Sequence, residues 1–225
     1  MPSRNRIKEY HKDSYYHIYN RGVEKRPIFR DSQDYSVFLS YLQGYLLPKD
    51  EESLNKILVD WRSSPEEKEK ARKLLKLNNF SDEITLLAYC LMPNHFHFLI
   101  HQNSAGAMDK FMNSLATRYT MYFNKKYKRV GSLYQEVYKA KLIHTDEQLL
   151  IISRYIHKQA STNPSLSGSG QPSSYQVFIG DTKPNWVHPE EILAYLTKNY
   201  PSFTYKTLLQ EESDWDLIHN FTLDD

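Results

Sequence analysis

The chain has little of several things that would narrow its class. One cysteine, Cys90, stands among 225 residues. That excludes an internal disulfide and any zinc site built from several cysteines. No stretch approaches the roughly 18 uninterrupted apolar residues of a membrane span. The N-terminal MPSRNRIKEYHKD is charged but has no apolar run of the kind a secretory leader needs. No internal repeat is visible. These absences point to a reducing, cytoplasmic location and no membrane partner. Hydrophobic residues at 40% and charged residues at 25% fit a globular protein with a real core.

Net charge is also small, +2, but its distribution is uneven. Between Lys110 and Lys141 stand eight cations, Lys110, Arg118, Lys125, Lys126, Lys128, Arg129, Lys139 and Lys141, with Glu136 inside the segment and Asp109 beside it. Phe111, Tyr119, Tyr122, Phe123, Tyr127, Tyr134 and Tyr138 are interleaved with them. Cations for phosphates and aromatic faces for unstacked bases suit a single-stranded nucleic-acid groove. An amphipathic helix followed by a solvated basic loop fits the same pattern equally well.

The order of elements reads as α+β. Tyr15 to Asn20 is rich in β-formers and runs into Arg21-Gly22, a strand and a turn. Tyr35, Phe38, Leu39 and Leu42 keep helical spacing over Asp34 to Leu46, before Pro48. Residues 48–82 are charge-dense and read as a surface insertion; within them Ser64-Pro65-Glu66-Glu67 is a capping box opening a helix to about Leu77. EITLLAYCLM and HFHFLIH are two strands parted by Pro93-Asn94. A helix follows from Met108, then a strand over KAKLIH. A second capping box at Thr145 opens a helix to about Ala160. STNPSLSGSGQPSS reads as a linker, and one further helix is expected from His188 to about Lys198. The arrangement predicts a mostly antiparallel sheet with helices packed on it, a first domain over residues 1–160, and a linker with C-terminal extension over 161–225.

Two histidines stand in the apolar run LMPNHFHFLI. In a strand, residues i and i+2 share a face, so His95 and His97 project together while Phe96 and Phe98 point into the other side. Two imidazoles converging from one strand make half of a divalent-metal site. Histidines on the polar face of an ordinary strand are the commoner meaning of H-x-H. Tyr155 and Gln159, one helical turn apart, lie on one face of the helix that opens at Thr145. They would supply a hydroxyl nucleophile and an amide ligand from a single element.

These stretches, in this order, resemble the HUH single-tyrosine transposases, particularly the REP-associated tyrosine transposases and their insertion-sequence relatives. The resemblance rests on YHIYNRG (16–22), IFRDSQDYSVFLSYL (28–42), AYCLMPNHFHFLI (88–100), ATRYTMYFNKKYKRVGSLYQEVYKAKLI (116–143) and LIISRYIHKQ (150–159). SSYQVFIGDTKPNWVHPEEILAYL (173–196) is similar to the C-terminal extension of the REP-associated group. The resemblance implies a ferredoxin-like or RRM-like HUH endonuclease core. It implies that His95, His97 and Gln159 bind a divalent metal, Mg²⁺ or Mn²⁺, and that Tyr155 is the catalytic nucleophile. One departure stands out: many REP-associated members follow the tyrosine with an Asn-Pro pair, where this chain has Gln159-Ala160. The insertion-sequence relatives use Gln at that place.

The implied reaction cuts and joins single-stranded or hairpin DNA through a 5′-phosphotyrosine adduct. Arg118 and Lys139, with Arg21 beside its turn, are the expected backbone contacts; a plain solvated charge is the alternative for each. Two other readings stay open: a domesticated, non-catalytic DNA-binding protein of the same fold, and a metal-dependent hydrolase for which Tyr155 is only core. Whether the chain acts as a monomer or a homodimer is not readable from these residues.

Overall fold

A computed structural model describes residues 10–162 and 171–210. Four antiparallel strands form one sheet in the order β2-β3-β1-β4. They are β1 (Ser14–Arg21), β2 (Ile84–Met92), β3 (His95–Gln102) and β4 (Lys139–Ile143). Between β1 and β2 run α1 (Ser32–Leu46), α2 (Glu51–Val59) and α3 (Pro65–Lys76); between β3 and β4 runs α4 (Ala107–Lys126). A strand–helix–strand–strand–helix–strand path with this order is the split βαβ arrangement of ferredoxin-like folds. The expected α+β class with a mostly antiparallel sheet is what the chain adopts. After β4 come α5 (Asp146–Thr162), α6 (Tyr175–Phe178), α7 (Glu190–Asn199) and α8 (Tyr205–Gln210).

The period-2 alternation of the strands divides the core in two. Tyr16, Ile18, Phe96, Phe98 and Ile100 face α1 and α4, where they meet Phe38, Leu42, Met108, Phe111, Leu115 and Tyr119. Cys90, Met92 and Leu99 face the opposite side and are covered by Leu149, Ile152, Tyr155 and Ile156 of α5. The ladder between β2 and β3 shifts register between Leu86 and Ala88. This bulge leaves Leu87 and Ala88 both packed on the α5 side, and re-phases the strand that follows.

Local chemistry explains the ends of the elements. Ser64 accepts from the Glu67 N–H at 3.1 Å while Glu67 accepts from the Ser64 N–H at 2.7 Å, the reciprocal box the sequence predicts. At α5 the Gln148 N–H donates to Thr145 Oγ1, but the Gln148 side chain accepts from His144 N–H, one residue further back than a strict box. Helix α2 is not among the expected elements. Asp50 caps it through the Ser53 N–H, and half-buried Leu54, Ile57 and Leu58 turn one face toward α3. Its dense charge hides that short apolar face.

The expected linker falls partly on residues 163–170, outside the described residues, as do 211–225. The segment that follows does not hang loose. Leu91 N–H donates to Pro172 O, Ser174 N–H to Tyr89 O and His188 N–H to Leu86 O, at 2.9, 3.0 and 2.8 Å. The outer edge of β2 is thereby covered, as exposed strand edges require. The helix expected from His188 is α7, which packs on α5. Among the described residues no helix is long and apolar enough to cross a membrane.

Candidate active site

The site is built where β1 and β3 present their second face to α5. The tight Pro93-Asn94 connection sets the start of β3. Its carbonyls are pinned by a preceding loop: Ile28 and Phe29 N–H donate to Pro93 O, and Gly22 N–H donates to Asn94 O at 2.8 Å. The chain at Gly22 must pass close to residue 26. A Cβ there would lie 2.2 Å from the Arg26 carbonyl oxygen, so only glycine fits.

His95 and His97 project from one face as the alternation predicts, with ring centroids 5.0 Å apart and planes at 88°. The Nδ1–H of His95 donates to Asn94 Oδ1 at 2.6 Å, which leaves the lone pair of the neutral ring on Nε2. His97 is completely buried. Its Nδ1 lies 2.9 Å from Nε2 of His17, also completely buried, and its Nε2 has no hydrogen-bond partner. Burial, with His17 and His95 as neighbours, holds the His97 imidazole well below its ordinary pKa and therefore neutral.

Helix α5 lays Tyr155 across this pair. The Tyr155 ring stands edge-on to His97 at 5.4 Å and 90°, and to His17 at 5.9 Å. Tyr155 is 2% exposed. Gln159 is half-buried one turn further along the same helix. Among the described residues no three or more of His, Cys, Asp and Glu are arranged to hold a metal ion. The amide of Gln159 stands on the same helix as Tyr155.

Besides its apolar packing on the sheet, α5 is tied by a directed chain of hydrogen bonds running into the C-terminal extension. Ser153 Oγ donates to Leu150 O, so it accepts from the Tyr205 hydroxyl at 3.0 Å. That hydroxyl in turn accepts from Nδ1–H of His157 at 2.7 Å. His157 Nε2 then accepts from the Ser174 hydroxyl at 2.8 Å, whose oxygen accepts from the Tyr89 N–H at 2.9 Å. Burial pushes His157 down to about 3, so it stays neutral in this network.

The three expected backbone contacts part company. Arg21 and Lys139 lie beside the histidines: Arg21 pairs with His95 across the ladder, and Lys139 pairs with Tyr19, itself opposite His97. With Tyr19, Asn20, Gln135, Glu136 and Val137 they line a cleft of about 120 Å³. Arg21 Nε donates to Gln135 Oε1 at 2.8 Å, while Lys139 is exposed on the outer edge strand. Arg118 sits elsewhere. It belongs to α4, on the other face of the sheet, where its guanidinium covers the Tyr41 ring at 3.8 Å.

The aromatics of the basic segment are not stacking platforms. Phe111, Tyr119 and Phe123 are buried because α4 uses its apolar stripe to cover the sheet; Tyr134 and Tyr138, beyond the helix, are buried too, and the half-buried Tyr122 and Tyr127 donate their hydroxyls to Asp34. Lys126 is spent on Asp31 and Asp34, at 2.7 Å from each. What faces solvent is a set of cations, Lys110, Lys125, Lys128, Lys139 and Lys141. Sequence reasoning missed His17 and Asn94. The signal for Asn94 lay in the PNH triplet itself; for His17 only its place on the same strand face as Tyr15 and Tyr19 hinted at a role.

The site is thus a ferredoxin-like sheet carrying two histidines on one strand, with a tyrosine helix packed over them. In comparison with known proteins, residues 62–159, the stretch holding both histidines, Tyr155 and Gln159, match the model described as transposase IS200 like. Over that stretch the chain is similar to the IS200-like transposases. No curated protein matches it. Two solved structures are similar. One is a REP-associated tyrosine transposase bound to a REP hairpin, 11% identical, covering 82% of this chain and 96% of its own, with a TM-score of 0.41. The other is a protein from Deinococcus radiodurans R1 provisionally assigned as a transposase, 12% identical, covering 71% and 97%, with a TM-score of 0.36. At these values neither bears on the activity or the substrate.

Proposed function

We propose that the protein cuts and rejoins single-stranded DNA at hairpins, with Tyr155 as nucleophile and with His95, His97 and Gln159 holding Mg²⁺ or Mn²⁺. One observation carries this reading: a buried histidine nitrogen without a partner, His97 Nε2, on a ring in edge contact with Tyr155. A buried polar atom left unpaired costs about 1–3 kcal/mol, so its retention calls for an explanation. The amide oxygen suits a hard divalent ion, and the two imidazoles favour Mn²⁺ over Mg²⁺. When bound, that ion would neutralise and polarise a non-bridging phosphate oxygen.

The chain's own residues do the rest. The Tyr155 hydroxyl, whose ordinary pKa is about 10, gives up its proton and attacks phosphorus. The bond from phosphorus to the 3′ oxygen breaks, and the departing oxygen takes up a proton to become a free 3′-hydroxyl. The 5′-phosphotyrosine bond conserves the phosphodiester, so a second 3′-hydroxyl can attack it, restore Tyr155 and join the DNA without ATP. Lys139 and Arg21 hold backbone phosphates beside the histidines. Hairpin DNA as the substrate rests on the resemblance of the sequence.

The burial of Tyr155, 2% exposed, and of His97 favours a second reading, a DNA-binding protein that has the fold but does not cleave. One experiment separates them. Wild type and Tyr155→Phe are incubated with labelled single-stranded hairpin DNA from the flanks of the gene, with Mn²⁺, and run on a denaturing gel. A labelled protein band in wild type, absent from the variant, is expected. Binding across several hairpins without any such band would establish the second reading instead.

A further inference from the structure

We propose that His17 is a positioning residue for His97: it accepts a hydrogen bond from the Nδ1–H of His97 and so fixes Nε2 as the nitrogen that carries the lone pair. The inference rests on the metal reading above and adds to it the residue that prepares the ligand.

The geometry leaves two arrangements. His17 Nε2 and His97 Nδ1 are 2.9 Å apart, the rings nearly parallel at 19°, and both residues are completely buried. A neutral imidazole has one N–H and one lone pair, so one ring donates and the other accepts. If His17 donated, the proton of His97 would sit on Nε2. That atom is buried with no partner, and orphaned buried N–H groups are rarer than under-satisfied acceptors. A protonated Nε2 also could not bind an ion. If His97 donates, Nε2 keeps its lone pair, and His17 must carry its own proton on Nδ1.

The neighbouring histidine supports the second arrangement. His95 donates its Nδ1–H to Asn94 Oδ1, which likewise puts the lone pair on Nε2. Both histidines of the strand are thus set in the same tautomer by different partners, a carboxamide for one and an imidazole for the other. Histidine ligands ordinarily donate their second nitrogen to an oxygen, and losing that partner typically costs 10- to 100-fold in metal affinity. Here an imidazole fills the place, brought there by the pairing of β1 with β3: Tyr19 lies opposite His97, and His17 two residues back shares its face.

The test uses the full chain labelled with ¹⁵N-histidine. Imidazole ¹H–¹⁵N correlation spectra without metal give the tautomer of each ring. Mn²⁺ affinity is measured by calorimetry for wild type, His17→Leu and His17→Gln, with circular dichroism to confirm folding. His97 is expected to carry its proton on Nδ1. His17→Leu is expected to bind Mn²⁺ about 10- to 100-fold more weakly, and His17→Gln, whose Oε1 can accept in place of Nε2, to retain most of the affinity. A proton on His97 Nε2 in wild type overturns the inference, as does Leu binding Mn²⁺ like wild type. Should the Leu variant not fold, the wild-type tautomer and the Gln variant decide. Wild type that binds no Mn²⁺ removes the metal reading, and this inference with it; binding that is indifferent to position 17 removes this inference alone.

Discussion

Ser174→Ala should loosen the tyrosine helix from a site far outside the histidine strand. The Ser174 hydroxyl serves two partners at once, accepting from the Tyr89 N–H at 2.9 Å and donating to His157 Nε2 at 2.8 Å. Ser174 and His157 are almost wholly buried, so alanine leaves a backbone N–H and a ring nitrogen without partners. Each orphan costs about 1–3 kcal/mol, which puts the total at about 2–6 kcal/mol. Tyr205→Phe removes the hydroxyl at the other end, orphaning His157 Nδ1–H and costing about 1–3 kcal/mol by the same rule. Because both bonds end on one imidazole, the two losses should couple rather than add. Urea unfolding followed by circular dichroism, for both single variants and the double, measures this directly. A Ser174→Ala protein within about 0.5 kcal/mol of wild type, the range of an ordinary surface change, would show that the network does not hold the extension to α5.

Four further outcomes follow from particular residues. Asp34 is completely buried and accepts from Lys126 Nζ, the Tyr122 and Tyr127 hydroxyls and the Arg30 N–H; Asp34→Ala takes the acceptor from that N–H and the two hydroxyls while Lys126 keeps Asp31, and should cost about 1–3 kcal/mol in urea unfolding. Lys139→Ala should weaken binding to single-stranded DNA and lower the slope of log affinity against log salt by about 0.7, measured by fluorescence anisotropy. Arg118→Ala, stacked on Tyr41 across the sheet, should leave that slope unchanged. Burial pushes the Tyr89 hydroxyl up to about 12. Its folded pKa lies above the unfolded value of about 10, so its contribution is intact below pH 10 and is lost toward pH 12, at up to about 1.4 kcal/mol per pH unit. Tyr89→Phe should flatten the alkaline unfolding curve over that window.

The sequence alone determined whatever is written in short periods. HFHFL puts two histidines on one face and two phenylalanines on the other because strand side chains alternate, and no tertiary contact was needed to see it. The helix register that places Gln159 one turn from Tyr155, and the box at Ser64, are equally local. The path of elements sufficed for the α+β sheet. Short range is also where legibility stopped. Helix α2 was hidden because three apolar residues among charges carry too weak a period to stand out. The aromatics of the basic segment looked like faces for bases, since composition cannot say which side of a helix the sheet will claim.

Tertiary structure decided the rest, through pairings between residues far apart in the chain. Arg118 and Lys139 are both cations in one basic run, yet the fold puts one behind the sheet and the other beside the histidines. The segment after residue 170 reads as loose polar chain, and only the open edge of β2 gives its backbone groups partners. His17 stands 80 positions from His97. In YHIYN only its strand face hints at it, because its meaning is the hydrogen bond that exists once β1 and β3 lie side by side.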